Sequence, residues 1–354
     1  MKSTSLTAAL TLLLTGTAMA QGSVAISGIL DGALRHVDNE GRGAMSSVVS
    51  GSNATSRLIV SAKEDLGDGR AVSFWLEHGL ALDTGAPTGA FWDRRSTLSL
   101  TDRRLGELRL GRDYIPNFND WVRYDNFAYL GVGGSNNLVT ATPLGPIRST
   151  WGSAANNVVR ASNAIKYFLP GDLGGVDGHV MLALAEGSAV ENTRSVGGRL
   201  GWTGTVLSVS AAHTTSHNAN TRRSKFKDSL LGGSLQYGSA GRINLAWRRF
   251  AQADTRQVNL LVAVTQGFGP HEVKAMYTQV DMSGRVGAAT IDANDAHQLS
   301  LGYVYNFSRR TAFYATASQI RNEGAATFVV PGGPAGLAAG DGSRGVELGL
   351  RHRF

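Results

Sequence analysis

Residues 57–79, RLIVSAKEDLGDGRAVSFWLEHG, alternate apolar and polar side chains on both sides of a glycine-rich turn. The apolar positions are Leu58, Val60 and Ala62 before the turn and Val72, Phe74 and Leu76 after it. A period of two residues is typical of a β-strand with one apolar and one polar face, and DLGDG is a turn sequence. The stretch therefore predicts an antiparallel β-hairpin.

The same alternation recurs along the whole chain. Sixteen segments carry it, near residues 23–35, 56–64, 70–78, 94–101, 107–112, 158–169, 176–186, 196–202, 205–214, 228–237, 242–250, 257–266, 271–281, 297–307, 311–321 and 345–354. Seven short connections, rich in Gly and Asp, alternate with eight that are mostly longer. Short turns at one end, long loops at the other and an even number of strands are typical of outer-membrane barrels. We therefore expect an all-β fold, a 16-stranded antiparallel transmembrane β-barrel.

The last segment indicates how such a sheet would close. In ELGLRHRF, residues 347–354, Leu348 and Phe354 share one face, and Arg351 and Arg353 share the other. The first face would meet lipid, and the second would meet water inside the pore. Pairing this segment with the first one would leave no unpaired edge. The alternative is a large soluble β-sandwich or propeller, but such a fold does not require outward apolar stripes that end in aromatic residues beside the short turns.

The N-terminus carries the features of a secretory signal peptide over residues 1–20. Lys2 precedes an apolar stretch, and Ala18-Met19-Ala20 is a small-x-small cleavage site, so we expect export through the Sec pathway and a single mature domain over residues 21–354. The alternative is a buried N-terminal helix. No run of 18 apolar residues follows residue 20, so no transmembrane helix is expected.

The composition of the chain excludes several classes of site and partner. The chain of 354 residues has no Cys, which excludes thiol nucleophiles, disulfides and Cys-based metal sites. Its formal net charge is +7, and its 34 Lys and Arg residues include six Lys, so 28 are Arg. Such a chain could attract small anions, lipid headgroups or acidic polymers. Because the arginines are scattered rather than clustered on one element, nucleic acid is not an expected partner.

Four motifs carry a resemblance to a known family. They are SVAISGILDGAL at residues 23–34, SRLIVSAKEDLGDGRAVSFWLE at 56–77, GELRLGRDYIPNFNDW at 106–121 and GLRHRF at 349–354. Together they resemble the Gram-negative general diffusion porins, especially the betaproteobacterial and neisserial type, over essentially the whole mature chain. One departure is Ser27, where an aromatic residue is common in the family.

The resemblance implies a homotrimer in the outer membrane, surrounded by lipid and lipopolysaccharide, with the third long loop folded into each barrel. It also implies that the C-terminal strand with Phe354 is the assembly signal that the barrel assembly machinery reads. The third loop is rich in Asn, Gly and Ser, which leaves its fine selectivity open.

The longest connection, residues 113–157, is the candidate functional loop because so long a loop is uncommon unless it has a function. Its candidate acids are Asp113, Asp120 and Asp125. The candidate wall residues, which share inward parity near the long-loop ends of their strands, are Arg35, Arg57 and Arg95. Acids facing arginines across a pore constriction would produce a transverse field. With the basic net charge, the pattern predicts a modest anion preference.

The sequence gives little support for a metal site or for catalysis. His213 and His217 have a metal-binding spacing for a helix, but on a strand they would lie about 13 Å apart. No G-x-S-x-G motif is present, so we expect no catalytic residue, metal or cofactor, and no enzyme activity. The favoured function is passive diffusion of small hydrophilic solutes and ions. The alternatives are a substrate-selective channel for anionic nutrients such as organic acids or phosphate, and a surface adhesin that uses loops such as residues 322–344.

Overall fold

β-Strands dominate the structure, which is a computed structural model. It describes residues 23–140, 144–152, 154–186, 193–221 and 224–354. The predicted signal peptide, residues 1–20, lies outside the described residues. Within them the strands are β1 (Ser23–Asn39), β2 (Gly43–Ser50), β3 (Arg57–Gly67), β4 (Arg70–Gly79), β5 (Arg95–Asp102), β6 (Gly106–Tyr114), β7 (Arg160–Phe168), β8 (Val176–Ala183), β9 (Arg194–Thr203), β10 (Leu207–His217), β11 (Phe226–Tyr237), β12 (Gly241–Gln252), β13 (Thr255–Phe268), β14 (His271–Val286), β15 (Ala289–Thr290), β16 (Ala296–Asn306), β17 (Thr311–Asn322) and β18 (Ser343–Arg353).

Sixteen of these strands form a closed antiparallel barrel, which confirms the predicted fold. Each pairs with its neighbour in sequence, and β1 pairs with β18 to close the sheet, with Leu34 opposite Leu348. The other two strands, β2 and β15, were not predicted. They extend hairpins inside the expected loops: β2 pairs with the second half of β1, and β15 pairs with the end of β14.

The two faces of the wall differ as the alternation predicts. In β18, Val346, Leu348 and Leu350 face outward and are 51–53% exposed, whereas Glu347 between them is 2% exposed. Outward aromatic residues lie at the short-turn ends of the strands: Tyr167, Trp202, Tyr237, Phe268, Tyr303 and Phe307. An apolar outer surface of this extent is unfavourable in water and favourable in hydrocarbon. The aromatic residues form the girdle at one membrane interface.

The short turns use residues that tolerate a left-handed backbone. In the β3–β4 turn, Gly67, Asp68 and Gly69 have φ angles of 81°, 53° and 77°. The Asp65 carboxylate accepts a hydrogen bond of 2.9 Å from the Gly67 backbone N–H, which fixes the turn. Glycine has no Cβ and adopts these angles without strain, so the sequence DLGDG reverses the chain in few residues.

The third long loop folds into the barrel and carries three short α-helices. They are α1 (Pro116–Tyr124), α2 (Asn136–Val139) and α3 (Pro146–Trp151). Helix α1 packs against β9–β12, α3 against β12 and β13, and α2 against β14 and β16. Through these contacts the loop follows one half of the inner wall. In the described part of the chain, none of the helices is long and apolar enough to cross a membrane.

Two apolar clusters in the lumen hold this loop in place. The first joins α1 and α3 to the wall, with Trp121, Phe226, Leu230 and Phe250 all at 1% exposure or less. The second, which we call the inner latch, joins the tip of the third loop to the last long loop. Its principal members are Val37, Val132, Leu138, Val280, Ile320, Phe328 and Val330. The last long loop, residues 323–342, thus also folds inward, which the sequence did not predict.

Candidate pore constriction

Hydrogen bonds fix the third loop against the inner wall. Asn117 Nδ2 donates to the backbone oxygen of Asp228 at 2.9 Å, and the Tyr124 and Ser210 hydroxyl groups lie 2.6 Å apart. Asn126 Nδ2 donates to the Val264 backbone oxygen at 2.9 Å. Each bond satisfies a buried polar group that would otherwise be costly. The free part of the lumen therefore lies between this loop and the opposite wall.

A passage of about 760 Å³ occupies that space. Six cationic side chains line it, and no Asp or Glu is among its described lining residues. The cations are Arg57, Arg94, Arg160, Lys274, Arg351 and Arg353. The loop contributes neutral side chains, which include Phe118, Asn119, Val122, Asn126, Leu130 and Asn136. The passage is therefore cationic on the wall side and uncharged on the loop side.

Carboxylates behind the passage balance only part of this charge. Glu77 lies 2.6 Å from Arg94 Nε and 3.5 Å from Arg57 Nε, so two arginines share one carboxylate. Lys274 pairs with Glu272 at 3.1 Å. Neutral groups also position the cations: the Tyr114 hydroxyl accepts hydrogen bonds from Arg94 and Arg160 at 3.0 and 3.4 Å.

Three of the cations have no carboxylate within 4.0 Å among the described residues: Arg160, Arg351 and Arg353. Arg351 instead donates to the Asn53 side-chain oxygen at 2.5 Å. A partly desolvated cation without a carboxylate keeps most of its field, so the passage is net positive.

The predicted wall arginines occupy three different environments. Arg57 lines the passage. Arg95 does not appear among the described lining residues; it packs 5.1 Å from the Trp75 ring and lies 3.9 Å from Asp113. Arg35 is 8% exposed and forms a 3.0 Å ion pair with Glu347. It also donates to the Pro331 backbone oxygen of the last long loop at 3.3 Å, so that loop covers it. The structure does not bring these three arginines together.

The predicted loop acids do not face the passage, which corrects the expected opposition of acid and base. Asp113 belongs to β6 rather than to the loop, and it pairs with Arg109 at 2.8 Å and Lys166 at 3.1 Å. Asp120, in α1, pairs with Arg199 of the wall behind it at 2.5 Å. A buried carboxylate needs a partner, and these two find theirs in wall cations that are not among the described residues lining the passage.

Asp125, the third predicted acid, is satisfied within the loop itself. Its carboxylate accepts hydrogen bonds from the Ser135 hydroxyl at 2.6 Å, the Ser135 N–H at 2.9 Å and the Phe127 N–H at 2.8 Å. Burial outweighs these donors and raises the pKa of Asp125 above its ordinary value. Asp125 therefore shapes the turn after α1 and contributes no charge to the passage surface.

Several cations of the passage were not predicted as site residues. Inward parity in β18, on the face that the sequence assigns to water, does place Arg351 and Arg353 in the lumen. Lys274 shares the inward parity of Met276 and Thr278 in β14, but whether it reaches the passage depends on where the loop folds. Arg94 lies at the start of the segment predicted near 94–101, where it shares the outward parity of Leu98; in the structure it precedes β5, and its side chain lines the passage instead.

Comparisons with known proteins agree with this architecture. A family model described as Gram-negative porin matches residues 5–325. The chain is 32% identical to outer membrane porin protein 32 of Delftia acidovorans, over 99% of each chain, and 26% identical to an outer membrane porin protein of Bordetella pertussis over the full length of both. Among solved structures, an anion-selective porin from Comamonas acidovorans is 28% identical with a TM-score of 0.77, covering 94% of this chain and 100% of that one. An outer membrane protein of Vibrio cholerae, 18% identical with a TM-score of 0.67 over 94% of this chain and 99% of that one, shares the fold.

Proposed function

The chain belongs to the Gram-negative porin family, and from this premise we propose that it is an outer-membrane channel for passive diffusion of small hydrophilic solutes and ions, with a preference for anions. The family and the fold imply a channel rather than an enzyme. One observation carries the anion preference: six cations and no described carboxylate line the passage. A narrow, cation-lined passage raises the local concentration of anions and opposes cations. The similarity to the anion-selective porin from Comamonas acidovorans supports the same preference.

Arg57 acts in this channel as one of the wall cations. We assign selectivity chiefly to Arg160, Arg351 and Arg353, because no carboxylate among the described residues pairs with them. The neutral loop side narrows the passage without adding charge, so selectivity comes from one wall rather than from a transverse field.

A substrate-selective channel for anionic nutrients is the second candidate. The observation in its favour is the convergence of Arg94 and Arg160 on the Tyr114 hydroxyl, which places several donors at one point of the passage. Convergent arginine donors match the oxygens of carboxylates and phosphates. A channel of this kind would show current that saturates with anion concentration, whereas a general diffusion channel would not.

Membership of the family also supports a proposal about assembly and partners. We propose a homotrimer of one barrel domain per chain, residues 21–354, exported through the Sec pathway with residues 1–20 as signal peptide. Phe354 would serve as the signal for the barrel assembly machinery, and lipid with lipopolysaccharide would surround the barrels.

Planar-bilayer recording of the purified protein tests the channel. In a KCl gradient we expect discrete conductance steps. We also expect a reversal potential that is displaced from zero toward the equilibrium potential of chloride. A reversal potential of clear cation preference would contradict the assignment of selectivity to the passage cations. Binding without any conductance steps would instead support the adhesin alternative.

A further inference from the structure

Tyr114 is a neutral residue at the end of β6, and its side chain lines the passage. We infer that it is a positioning residue, whose hydroxyl and ring hold Arg94 and Arg160 so that both guanidinium groups can reach one anion. Within the proposed anion channel, on which this inference rests, that arrangement favours oxoanions such as carboxylates and phosphates over halide ions.

The Tyr114 hydroxyl oxygen is shared by two cations. Arg94 Nη2 donates to it at 3.0 Å, and Arg160 Nη2 donates to it at 3.4 Å. A hydroxyl oxygen has two lone pairs and no net charge, so it accepts from both guanidinium groups without neutralising either. A carboxylate at this position would cancel one of the two charges. The hydroxyl therefore brings the two cations together and leaves their positive field intact.

The Tyr114 ring restricts where its hydroxyl can lie. Arg160 Cζ is 4.8 Å from the centroid of the ring, which is a cation–π contact. The Phe118 ring of α1 stacks on the Tyr114 ring, with centroids 5.4 Å apart and an interplanar angle of 18°. Phe118 is 8% exposed and belongs to the apolar cluster that joins α1 to the wall. The third loop thus fixes the ring, and the ring fixes Arg160.

The backbone of Tyr114 is held by two charged side chains. The Asp113 carboxylate accepts a hydrogen bond of 2.9 Å from the Tyr114 N–H, and Lys166 Nζ donates to the Tyr114 backbone oxygen at 2.9 Å. The pairing of β6 with β7 shifts register between Gly111 and Asp113, directly before Tyr114. The two side chains therefore hold Tyr114 where the strand ladder is irregular, and Asp113 acts on the passage through Tyr114.

Both arginines keep a donor for an anion. Arg160 Nη1 donates to the Asn156 side-chain oxygen at 3.0 Å, but Arg160 Nε is buried and has no hydrogen-bond partner. Arg94 donates through Nε to Glu77 and through Nη2 to Tyr114, and its Nη1 donates to no residue in the described part of the chain. A buried donor without an acceptor is unfavourable, and an oxygen of a bound anion would satisfy it.

An oxoanion suits two guanidinium groups that meet at one point better than a halide ion does. It has two or more oxygens at fixed spacing, and planar guanidinium groups match carboxylate and phosphate oxygens in this way. A halide ion is a single sphere that gains mainly from the charge. The arrangement around Tyr114 therefore adds discrimination among anions to the preference for anions over cations.

The test is a titration of the chloride current with inorganic phosphate, and separately with acetate, in planar bilayers. Each probe competes with chloride for the passage, and the measured quantity is the concentration that halves the current. The test variant, Tyr114→Phe, keeps the ring and the charge and removes only the hydroxyl. Its matched control is Tyr129→Phe, which removes another hydroxyl from the same passage; no hydrogen bond joins the Tyr129 hydroxyl to a passage cation.

We expect the half-blocking concentration of phosphate to rise roughly tenfold in Tyr114→Phe, because a hydrogen bond to a charged group contributes about that factor. Acetate should show a rise in the same direction, and Tyr129→Phe should stay within about twofold of the wild type. The chloride conductance should change less than the half-blocking concentration does, because a merely structural defect of the loop would affect chloride and phosphate alike.

A second variant, Arg160→Lys, keeps the charge but removes the planar fork, and we expect it to raise the half-blocking concentration by roughly tenfold as well. Tyr114→Phe/Arg160→Lys should lose little more than either single variant, because both changes remove the same arrangement. If the hydroxyl and the guanidinium group acted independently, the losses would multiply to about 100-fold.

Four outcomes would overturn the inference. They are a wild-type current that neither phosphate nor acetate blocks, a wild-type half-blocking concentration in Tyr114→Phe, an equal rise in Tyr129→Phe, and losses that multiply in the double variant. The wild-type reversal potential in a KCl gradient tests the proposed channel separately. Anion preference in the wild type together with any of these four outcomes would contradict the role of Tyr114 alone.

Discussion

Gly28 and Phe354 exchange two backbone hydrogen bonds, each 3.1 Å long, at the seam where the barrel closes. The Phe354 ring lies directly over Gly28: a Cβ atom added at Gly28 would be 2.5 Å from Phe354 Cζ and 2.6 Å from the Arg57 backbone oxygen. The terminal residue is therefore part of the sheet, and the absence of a side chain at Gly28 makes room for its ring.

Deletion of Phe354 should impair assembly because it removes both hydrogen bonds and the ring that covers the seam. Gly28→Val should impair it too, since the added atoms overlap backbone and ring and overpacking costs about 1–3 kcal/mol. The measurement is the yield of heat-modifiable barrel on a gel after refolding into detergent. Gly171→Val is the control, because a Cβ there meets no atom within 4 Å. A normal yield for both seam variants would refute the role of the seam.

Closure could be predicted from the sequence, because the period of two in the first and last segments identifies both faces. The register of the strands could not be predicted, and the register determines which side chains are paired and which line the passage. Arg35 and Glu347 are direct partners across the β1–β18 seam, so Arg35 is neutralised there rather than exposed to the pore. Parity predicts that a side chain points inward, but it does not predict which residue lies opposite.

The path of the third loop is the other part that the sequence pattern does not determine. The loop has no strand period, and its acids pair according to where it packs, as Asp120 does with Arg199 of β9. The final loop packs against it through Phe328 and Val330, two residues in a segment otherwise rich in Gly and Ala. Such contacts between distant loops depend on the completed barrel.

Selectivity should depend on the passage cations that have no carboxylate partner. Arg160→Gln/Arg353→Gln should reduce the anion-to-cation permeability ratio, by roughly two- to threefold for each charge removed, because each contributes to the potential of the passage. The reversal potential in a KCl gradient measures the ratio. Arg309→Gln/Arg310→Gln removes equal charge from the short turn between β16 and β17 and should leave the ratio unchanged. Equal shifts in both variants would mean that overall charge, not the passage, sets selectivity.

Arg35 should matter for stability more than for selectivity. Arg35→Met leaves Glu347 buried without its cation, which costs about 3–5 kcal/mol when a buried pair is broken. The free energy of unfolding, from urea titration of tryptophan fluorescence in detergent, should fall accordingly. Arg35→Met/Glu347→Gln should recover most of the loss, since no unpaired charge remains. A loss below about 1 kcal/mol in the single variant, or a change in selectivity as large as that of the passage variant, would show that Arg35 is not a buried structural cation.

The inner latch should control how firmly the third loop narrows the passage. Phe328 is 1% exposed, and it lies in one apolar cluster with Val132 and Leu138 of the third loop. Phe328→Ala should leave a cavity that lowers stability by about 3–5 kcal/mol. This loss is enough to release the last long loop from the inner latch. We expect a larger single-channel conductance and more open-channel noise in planar bilayers, because the tip of the third loop is then held by its hydrogen bonds alone.

Thr327→Ala, a change in the same loop as Phe328 at a half-buried position outside the inner latch, should behave as wild type. Identical conductance and noise in Phe328→Ala and wild type would mean that the hydrogen bonds of the loop tip, such as the 2.9 Å bond from the Ser300 hydroxyl to the Gly133 backbone oxygen, hold the loop without the latch.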